Sequence, residues 1–197
     1  MKKVEEFMST VVVVKKNGRA CIAADTLVSW GSTKQSAEYL AGKSKIVQVG
    51  ENYIGVTGSS THRHVIESYF SRSEHFSFEN AQEIFETWRE FHKALKTDYF
   101  LAPGDDKDAP YESSHMHALI ANPYGIFGVY GLRSVDEYNK YWAFGSGTDY
   151  ALGALHCSYN RFDKVEDIAR AAVEAAAQFD NATGLPMTLY SVELIQD

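Results

Sequence analysis

Four side chains near the amino-terminal end of the chain are of types that could act together on an amide bond. Ser9 and Thr10 precede a run of four valines, Asp25 ends the next apolar run, and Lys45 begins the third. Between the first two runs lies Asn17-Gly18, a pair typical of a two-residue hairpin turn. With that turn, position 10 pairs with position 25. A hydroxyl, a carboxylate and an ammonium are therefore expected to converge at one end of the hairpin.

These groups would suffice for hydrolysis without a histidine. A free α-amino group has a pKa of about 8, so it could take the proton of an attacking hydroxyl at neutral pH. The same residues also fit a purely structural interpretation, in which Ser9 or Thr10 starts a strand, Asp25 caps its end and Lys45 is solvated. The spacing alone leaves both interpretations open.

The elements that would position these residues follow the order strands, helices, strands, helices, strand. Hairpin-like connections favour antiparallel sheets, and the order predicts an α+β domain with two sheets stacked between two helical layers. A Pro-, Asp- and Gly-rich stretch at 101–114 is predicted to be a loop within this single domain. The predicted strands are 10–15, 19–25, 45–49, 53–57, 116–122, 126–132, 141–144 and 187–194, and the predicted helices are 61–71, 78–96, 148–159 and 165–179.

An ordered set of short motifs resembles the proteasome β-subunit family, and most closely its bacterial HslV-type and single-subunit branch. The motifs are STVVVVKKNG from Ser9, AAD ending at Asp25, GKSKI around Lys45, VTG ending at Gly58 and FGSGTDYA around Ser146. The resemblance covers nearly everything from Ser9 to about Glu193. It implies the four-layer αββα fold of the N-terminal nucleophile hydrolases, with mostly antiparallel sheets.

The resemblance also implies a role for individual residues. The nucleophile falls on Ser9, because the distance from Ser9 to Asp25 matches the family's spacing and that from Thr10 falls one residue short. Gly58 falls on the position whose backbone N–H stabilises the oxyanion. The remaining catalytic positions fall on Asp25, Lys45, Ser146, Asp180 and Thr183. The first specificity pocket falls on Val28, Ser29, Lys43, Val47, Val56, Ser60 and His64, whose mixed polarity indicates no clear substrate preference.

Two features depart from the family pattern. The family usually has threonine where this chain has Ser9, so the γ-methyl group beside the hydroxyl is missing. Residues 1–8 precede the expected nucleophile, and we expect them to be a propeptide or to include a false start before Met8, with the catalytic domain spanning 9–197. While Met8 is attached, the α-amino group of Ser9 is part of an amide and cannot act as a base.

Composition excludes several other classes of function. Of 197 residues, 45% are apolar and 23% are charged, with a net charge of −7, which argues against a nucleic-acid partner. No apolar run reaches the roughly 20 residues of a membrane span, and two cysteines fit a cytoplasmic protein. No cofactor is expected, because Gly145-Ser146-Gly147 lacks the lysine and later glycines of nucleotide-binding loops.

No metal is expected either. The chain has two His-x-His pairs, at His62 and His64 and at His115 and His117, a residue type that binds zinc. No nearby cysteine or carboxylate completes a ligand set, so surface or packing roles are favoured.

The resemblance implies a self-compartmentalising peptidase. Its partners would be further copies of the chain in stacked rings, a polypeptide substrate and an ATPase unfoldase ring. The alternatives are an amidohydrolase of non-peptide amides on the same fold and a catalytically silent homologue that still forms rings.

Overall fold

The first two strands form the centre of the molecule. In the computed structural model, which describes residues 9–30, 33–42, 44–73, 75–101 and 111–195, β1 (Thr10–Lys16) pairs antiparallel with β2 (Arg19–Asp25). Asn17 and Gly18 both have positive φ in the connecting turn, as a type I′ hairpin requires. The pairing of Val11 with Ala24 confirms the register that the sequence predicts.

Two antiparallel sheets stack on one another. The first has the strand order β10-β1-β2-β11 and the second the order β5-β6-β7-β8-β9, whereas β3 and β4 form a hairpin of their own. The remaining strands are β3 (Val28–Trp30), β4 (Thr33–Gln35), β5 (Ile46–Val49), β6 (Asn52–Thr57), β7 (His117–Asn122), β8 (Gly125–Val129), β9 (Val135–Glu137), β10 (Tyr141–Gly145) and β11 (Met187–Glu193).

Helices cover the outer face of each sheet. The helices α1 (Ser60–Arg72) and α2 (Ala81–Thr97) pack on the second sheet, and α3 (Thr148–Ser158) and α4 (Val165–Phe179) pack on the first. Alternate residues of β1 therefore enter different cores: Val11 and Val13 lie between the sheets, and Val12 and Val14 lie against the helices. Burial of both faces explains the continuous valine run. The predicted α+β, four-layer αββα architecture is confirmed.

Some boundaries differ from the sequence prediction. The helix predicted from residue 78 begins at Ala81, because the Asn80 side chain accepts the N–H of Glu83 and caps the helix there. The strand predicted to reach residue 132 ends at Val129, and the short strands β3, β4 and β9 were not predicted. Residues 1–8 and residues 102–110 of the predicted loop lie outside the described residues.

Within the described ranges, no helix is long and apolar enough to cross a membrane.

Candidate active site

Asp25 is the most completely bound side chain at the predicted site. It ends β2 with no exposed surface, and four donors reach its two oxygens. Oδ1 accepts the Thr10 N–H at 2.9 Å and the Lys45 ammonium at 2.6 Å. Oδ2 accepts the N–H groups of Leu27 at 3.0 Å and Gly184 at 3.1 Å. A buried carboxylate with this many donors is held in one orientation.

Lys45 immediately precedes β5, and its side chain extends to Asp25. Its side chain is 13% exposed, and its ion pair with Asp25 Oδ1 is 2.6 Å long. Its backbone carbonyl accepts the N–H of Val56, which fixes the segment against β6. Burial lowers the pKa of the Lys45 ammonium, and the negative charges of Asp25 and Asp180 oppose that decrease. The buried ammonium is thus retained by one close carboxylate.

Ser9 lies at the start of β1, beside the end of β10. It is 4% exposed, and its backbone carbonyl accepts the N–H of Ser146 at 2.9 Å. Gly145 has a φ of 114°, and a Cβ added there would overlap the Ser9 carbonyl. Glycine is therefore required at position 145 for β10 to approach Ser9 this closely.

Asp180 follows the last residue of α4 and binds the hydroxyls of two predicted site residues. Its Oδ2 accepts Ser146 Oγ at 2.7 Å and Thr183 Oγ1 at 2.5 Å. Its Oδ1 accepts the N–H of Ala182 at 3.3 Å, which closes a local turn. The structure thus brings Ser146, Asp180 and Thr183 together, next to the Ser9 carbonyl.

A cavity of about 630 Å³ opens beside Ser9 and Lys45. Gly58 lies in its lining with a φ of 122°, and the His115 carbonyl packs within 2.9 Å of where a Cβ would be. Only glycine fits this backbone without strain. Of the residues predicted to form the specificity pocket, the cavity is lined by Val28, Ser29, Val56, Ser60 and His64.

One residue predicted to line the pocket, Val47, is not among the lining residues in the described part of the chain. Val47 is 3% exposed and packs in the core between the second sheet and the helices α1 and α2. Successive strand residues point to opposite faces, so Val47 of β5 faces away from the core that contains Ile46. Lys43 lies outside the described residues.

Several groups at the site were not predicted from the sequence. Leu27 and Gly184 contribute only backbone N–H groups to Asp25, which residue type does not reveal. Thr10 Oγ1 lies 2.6 Å from Thr183 Oγ1, across 173 positions of sequence. Arg63 of α1 lines the cavity and donates from Nη1 to the Gly42 carbonyl at 2.8 Å.

The histidine pairs do not form a cluster of ligands. His117 begins β7, whereas His115 precedes the strand with a φ of 52°, so the two do not share a strand face. Burial lowers the pKa of His117, which favours its neutral form. In the described part of the chain, no group of three or more His, Cys, Asp or Glu side chains could hold a metal ion.

The arrangement combines the groups that amide hydrolysis needs. A serine, a buried ammonium and a glycine line one cavity, and two carboxylates fix Lys45 and Ser146 beside it. Such a site can supply a nucleophile, lower the pKa of its hydroxyl and stabilise an oxyanion.

Two solved structures resemble the chain over nearly its whole length. BPH from Thiobacillus denitrificans is 43% identical with a TM-score of 0.90, covering 95% of this chain and 100% of that chain. The structure of Thiobacillus denitrificans BPH in complex with epoxomicin gives 42% identity, a TM-score of 0.89 and the same coverage.

More distant relatives share the architecture. Eukaryotic HslV from Trypanosoma brucei is 18% identical with a TM-score of 0.66, covering 93% of this chain and 99% of that chain, which shows a common fold. The proteasome subunit beta of Nanoarchaeum equitans (strain Kin4-M) is 24% identical over 199 residues, 94% of this chain and 93% of the relative. No family model matches the chain.

Proposed function

The chain belongs to the proteasome β-subunit and HslV family of N-terminal nucleophile peptidases, and we propose that it cleaves peptide bonds with Ser9 as the nucleophile. One observation carries the assignment. Ser9, Lys45 and Gly58 line the same cavity, and Asp25 holds the Lys45 ammonium at 2.6 Å. Nucleophile, charge and oxyanion donor thus surround a volume that can admit an extended peptide.

In the first chemical step, Ser9 Oγ attacks the scissile carbonyl. The Oγ–C bond forms while the hydroxyl proton passes to the α-amino group of Ser9, which must be free for this role. The proton then moves to the leaving nitrogen, the C–N bond breaks, and an acyl-enzyme remains. Water repeats the sequence and releases the acid.

Lys45 supports the attack by its charge. An ammonium close to the serine hydroxyl lowers the hydroxyl's pKa and keeps the neighbouring α-amino group neutral by repulsion between like charges. Asp25 prevents the ammonium from turning away, because the carboxylate is itself fixed by three backbone N–H groups. The Gly58 N–H donates a hydrogen bond to the carbonyl oxygen and stabilises the negative charge that develops on it.

Ser146 and Asp180 act at the Ser9 carbonyl. The Ser146 N–H fixes the Ser9 carbonyl, and Asp180 holds the Ser146 hydroxyl at 2.7 Å. Together they orient the α-amino group after residues 1–8 are removed. Serine in place of the usual threonine retains the reactive oxygen and loses the methyl group that restricts its rotation.

We further propose that the subunits assemble into a closed homo-oligomeric ring in the cytoplasm, with the cavities facing an internal chamber. Membership of the family supports this assembly, and closed symmetry is the usual outcome for a homo-oligomer. Delivery of unfolded polypeptide by an ATPase ring would follow from the same architecture.

Covalent labelling tests the nucleophile directly. Because BPH has been solved with epoxomicin, we propose that this chain also reacts with it. The mature protein is incubated with epoxomicin, digested and analysed by tandem mass spectrometry. We expect an adduct on a peptide that begins at Ser9, and we expect Ser9→Ala to lose both the adduct and the hydrolysis of fluorogenic peptides.

The matched control is Ser71→Ala, which makes the same change at an exposed position of α1. It should label and hydrolyse as the wild type does. A Ser9→Ala protein that cleaves peptides at the normal rate would refute the assignment. Labelling without peptide cleavage would instead favour a non-peptide amidohydrolase, and intact rings without labelling would favour a silent homologue.

A further inference from the structure

Thr10 connects two acidic side chains near Ser9, the buried Asp25 and the half-buried Asp180. Its N–H donates to Asp25 Oδ1 at 2.9 Å, and its Oγ1 lies 2.6 Å from Thr183 Oγ1. The side chain has no exposed surface. Thr183 in turn contacts Asp180, so Thr10 connects the centre that holds Lys45 with the centre that holds Ser146.

The direction of the hydroxyl contacts follows from counting protons. A hydroxyl has one proton to donate, and Thr183 donates its proton to the Asp180 carboxylate. Thr183 Oγ1 is therefore the acceptor in its contact with Thr10, and Thr10 Oγ1 is the donor. The donation runs in one direction, from Thr10 through Thr183 to Asp180, and ends on a charge, which strengthens each bond in the series.

The contacts form a closed series that includes the Ser9-Thr10 peptide. Asp180 accepts the Ser146 hydroxyl, and the Ser146 N–H donates to the Ser9 carbonyl. Ser9 is joined to Thr10 by a peptide bond, so the series of contacts that begins at the Thr10 hydroxyl ends at the neighbouring Ser9 carbonyl. These contacts limit movement of the Ser9-Thr10 peptide along β1.

Gly147 leaves space for the contact between the Thr10 and Thr183 hydroxyls. A Cβ at this position would overlap Thr10 Oγ1 and lie 3.1 Å from Thr183 Oγ1, although the backbone of Gly147 has a negative φ of −85° that any residue can adopt. The need for glycine here is therefore one of space. It indicates that the contact between the two threonine hydroxyls is a fixed part of the site.

We infer that Thr10 is a positioning residue for the nucleophile: its hydroxyl, through Thr183 and Asp180, fixes the Ser9 peptide against β10. The inference rests on the proposed function, since it assigns Thr10 a part in the reaction of Ser9. Thr10 is not among the described residues that line the cavity, so its part in the reaction is indirect.

Two substitutions separate the hydroxyl from the shape of the side chain. Thr10→Val keeps the branched shape and removes the donor, whereas Thr10→Ser keeps the donor and removes a methyl group. We expect Thr10→Val to lower kcat for a fluorogenic peptide about tenfold, the effect of one lost hydrogen bond, with KM unchanged. Thr10→Ser should recover most of the loss.

A double-mutant cycle tests the route. Thr183→Val removes the partner hydroxyl, and the double variant should be no slower than Thr183→Val alone, because both changes break the same series of bonds. If the rate losses of the two single variants multiply in the double variant, the inference is contradicted. So would a Thr10→Ser protein as slow as Thr10→Val, which would assign the effect to packing.

Epoxomicin labelling keeps the two hypotheses apart. If the wild type does not label at Ser9, the proposed function fails. If the wild type labels and Thr10→Val labels at the same rate, the proposed function stands and the role of Thr10 is refuted. Circular dichroism and thermal melting confirm that each variant is folded before rates are compared.

Discussion

The cavity has a floor and a wall that are built in different ways. The catalytic floor consists of Ser9 and Lys45, which line the cavity, and of Thr10 and Asp25, which bind behind them. Three of the four residues belong to or adjoin β1 and β2, and these two strands each pair on both edges. The hairpin wall, formed by residues 28–30 and 33–42, pairs β3 with β4 in a two-stranded sheet. Such a hairpin is at most marginally stable without other contacts.

Burial follows the same division. Thr10 and Asp25 in the catalytic floor have no exposed surface, whereas Tyr39 in the hairpin wall is 78% exposed. The reacting groups therefore lie next to buried, doubly paired strands, and substrate contact is placed where the chain opens more easily. Changes to the floor should affect stability and turnover together, and changes to the wall should affect substrate binding, with no change in turnover and only a small change in stability.

The largest effect is expected at Asp25. In Asp25→Asn, either orientation of the amide turns its NH₂ group toward donors, Thr10 N–H and Lys45 on one side or Leu27 and Gly184 N–H on the other. We expect hydrolysis to be lost and the free energy of unfolding to fall by about 3 kcal/mol, because the buried Lys45 charge loses its partner. Urea denaturation and a peptidase assay measure the two effects.

The matched control is Asp149→Asn in the exposed first turn of α3. It should change the free energy of unfolding by less than about 0.5 kcal/mol. If Asp25→Asn loses activity and keeps its stability, the expectation that changes to the catalytic floor affect stability and turnover together is wrong.

Much of the catalytic floor was predictable because its geometry is local. Asn17-Gly18 sets the hairpin register, and the register alone places position 10 opposite Asp25. The alternating burial of the valine run follows from the same strand. Lys45 is indicated by its type and its position at the start of the third apolar run, and Gly58 follows from the motif resemblance. The structure brings both to the cavity beside Ser9.

What escaped prediction depends on contacts that residue type does not encode. The Leu27 N–H reaches Asp25 Oδ2 from two residues further along the chain, and the Gly184 N–H reaches the same oxygen across 159 positions. Thr10 and Thr183 are 173 positions apart. The hairpin wall contains short strands with exposed polar residues such as Thr33 and Lys34, so neither apolar periodicity nor burial marks it in the sequence.

The second effect is a pH dependence that originates in the floor. Folding lowers the pKa of Lys45 below the ordinary lysine value of 10.5, chiefly through burial. As pH rises through the lowered pKa, the ammonium loses its proton and the charge that assists Ser9. We expect the alkaline limb of kcat/KM to lie below pH 10.5. Lys93→Met, a change at an exposed lysine of α2, should leave the profile unchanged.

Stability should respond in the opposite direction. Between the lowered pKa and 10.5 the unfolded chain holds a proton that folded Lys45 has released, so this group's contribution to the free energy of unfolding rises with pH. Activity that falls while this contribution rises distinguishes a titration of Lys45 from general alkaline unfolding. An alkaline limb above pH 10.5 would contradict the assignment.

The smallest effect is expected in the hairpin wall. Arg63 Nη1 donates to the Gly42 carbonyl at 2.8 Å, and Nη2 pairs with Glu67 at 2.8 Å, so the arginine ties the end of the wall to α1. Arg63→Met should raise KM severalfold and leave kcat unchanged, with a loss of stability of at most about 1 kcal/mol. Steady-state kinetics with peptides of several lengths measure the change.

Glu67→Gln separates the two contacts of Arg63, because it removes the charge of the partner on α1 and leaves the Gly42 carbonyl in place. If the tie to Gly42 shapes the cavity, Glu67→Gln keeps the KM of the wild type. An equal rise of KM in both variants would instead assign the effect to the orientation of Arg63 by Glu67. A fall in kcat for Arg63→Met would show that the wall also positions the reacting groups, and the division between floor and wall would then fail.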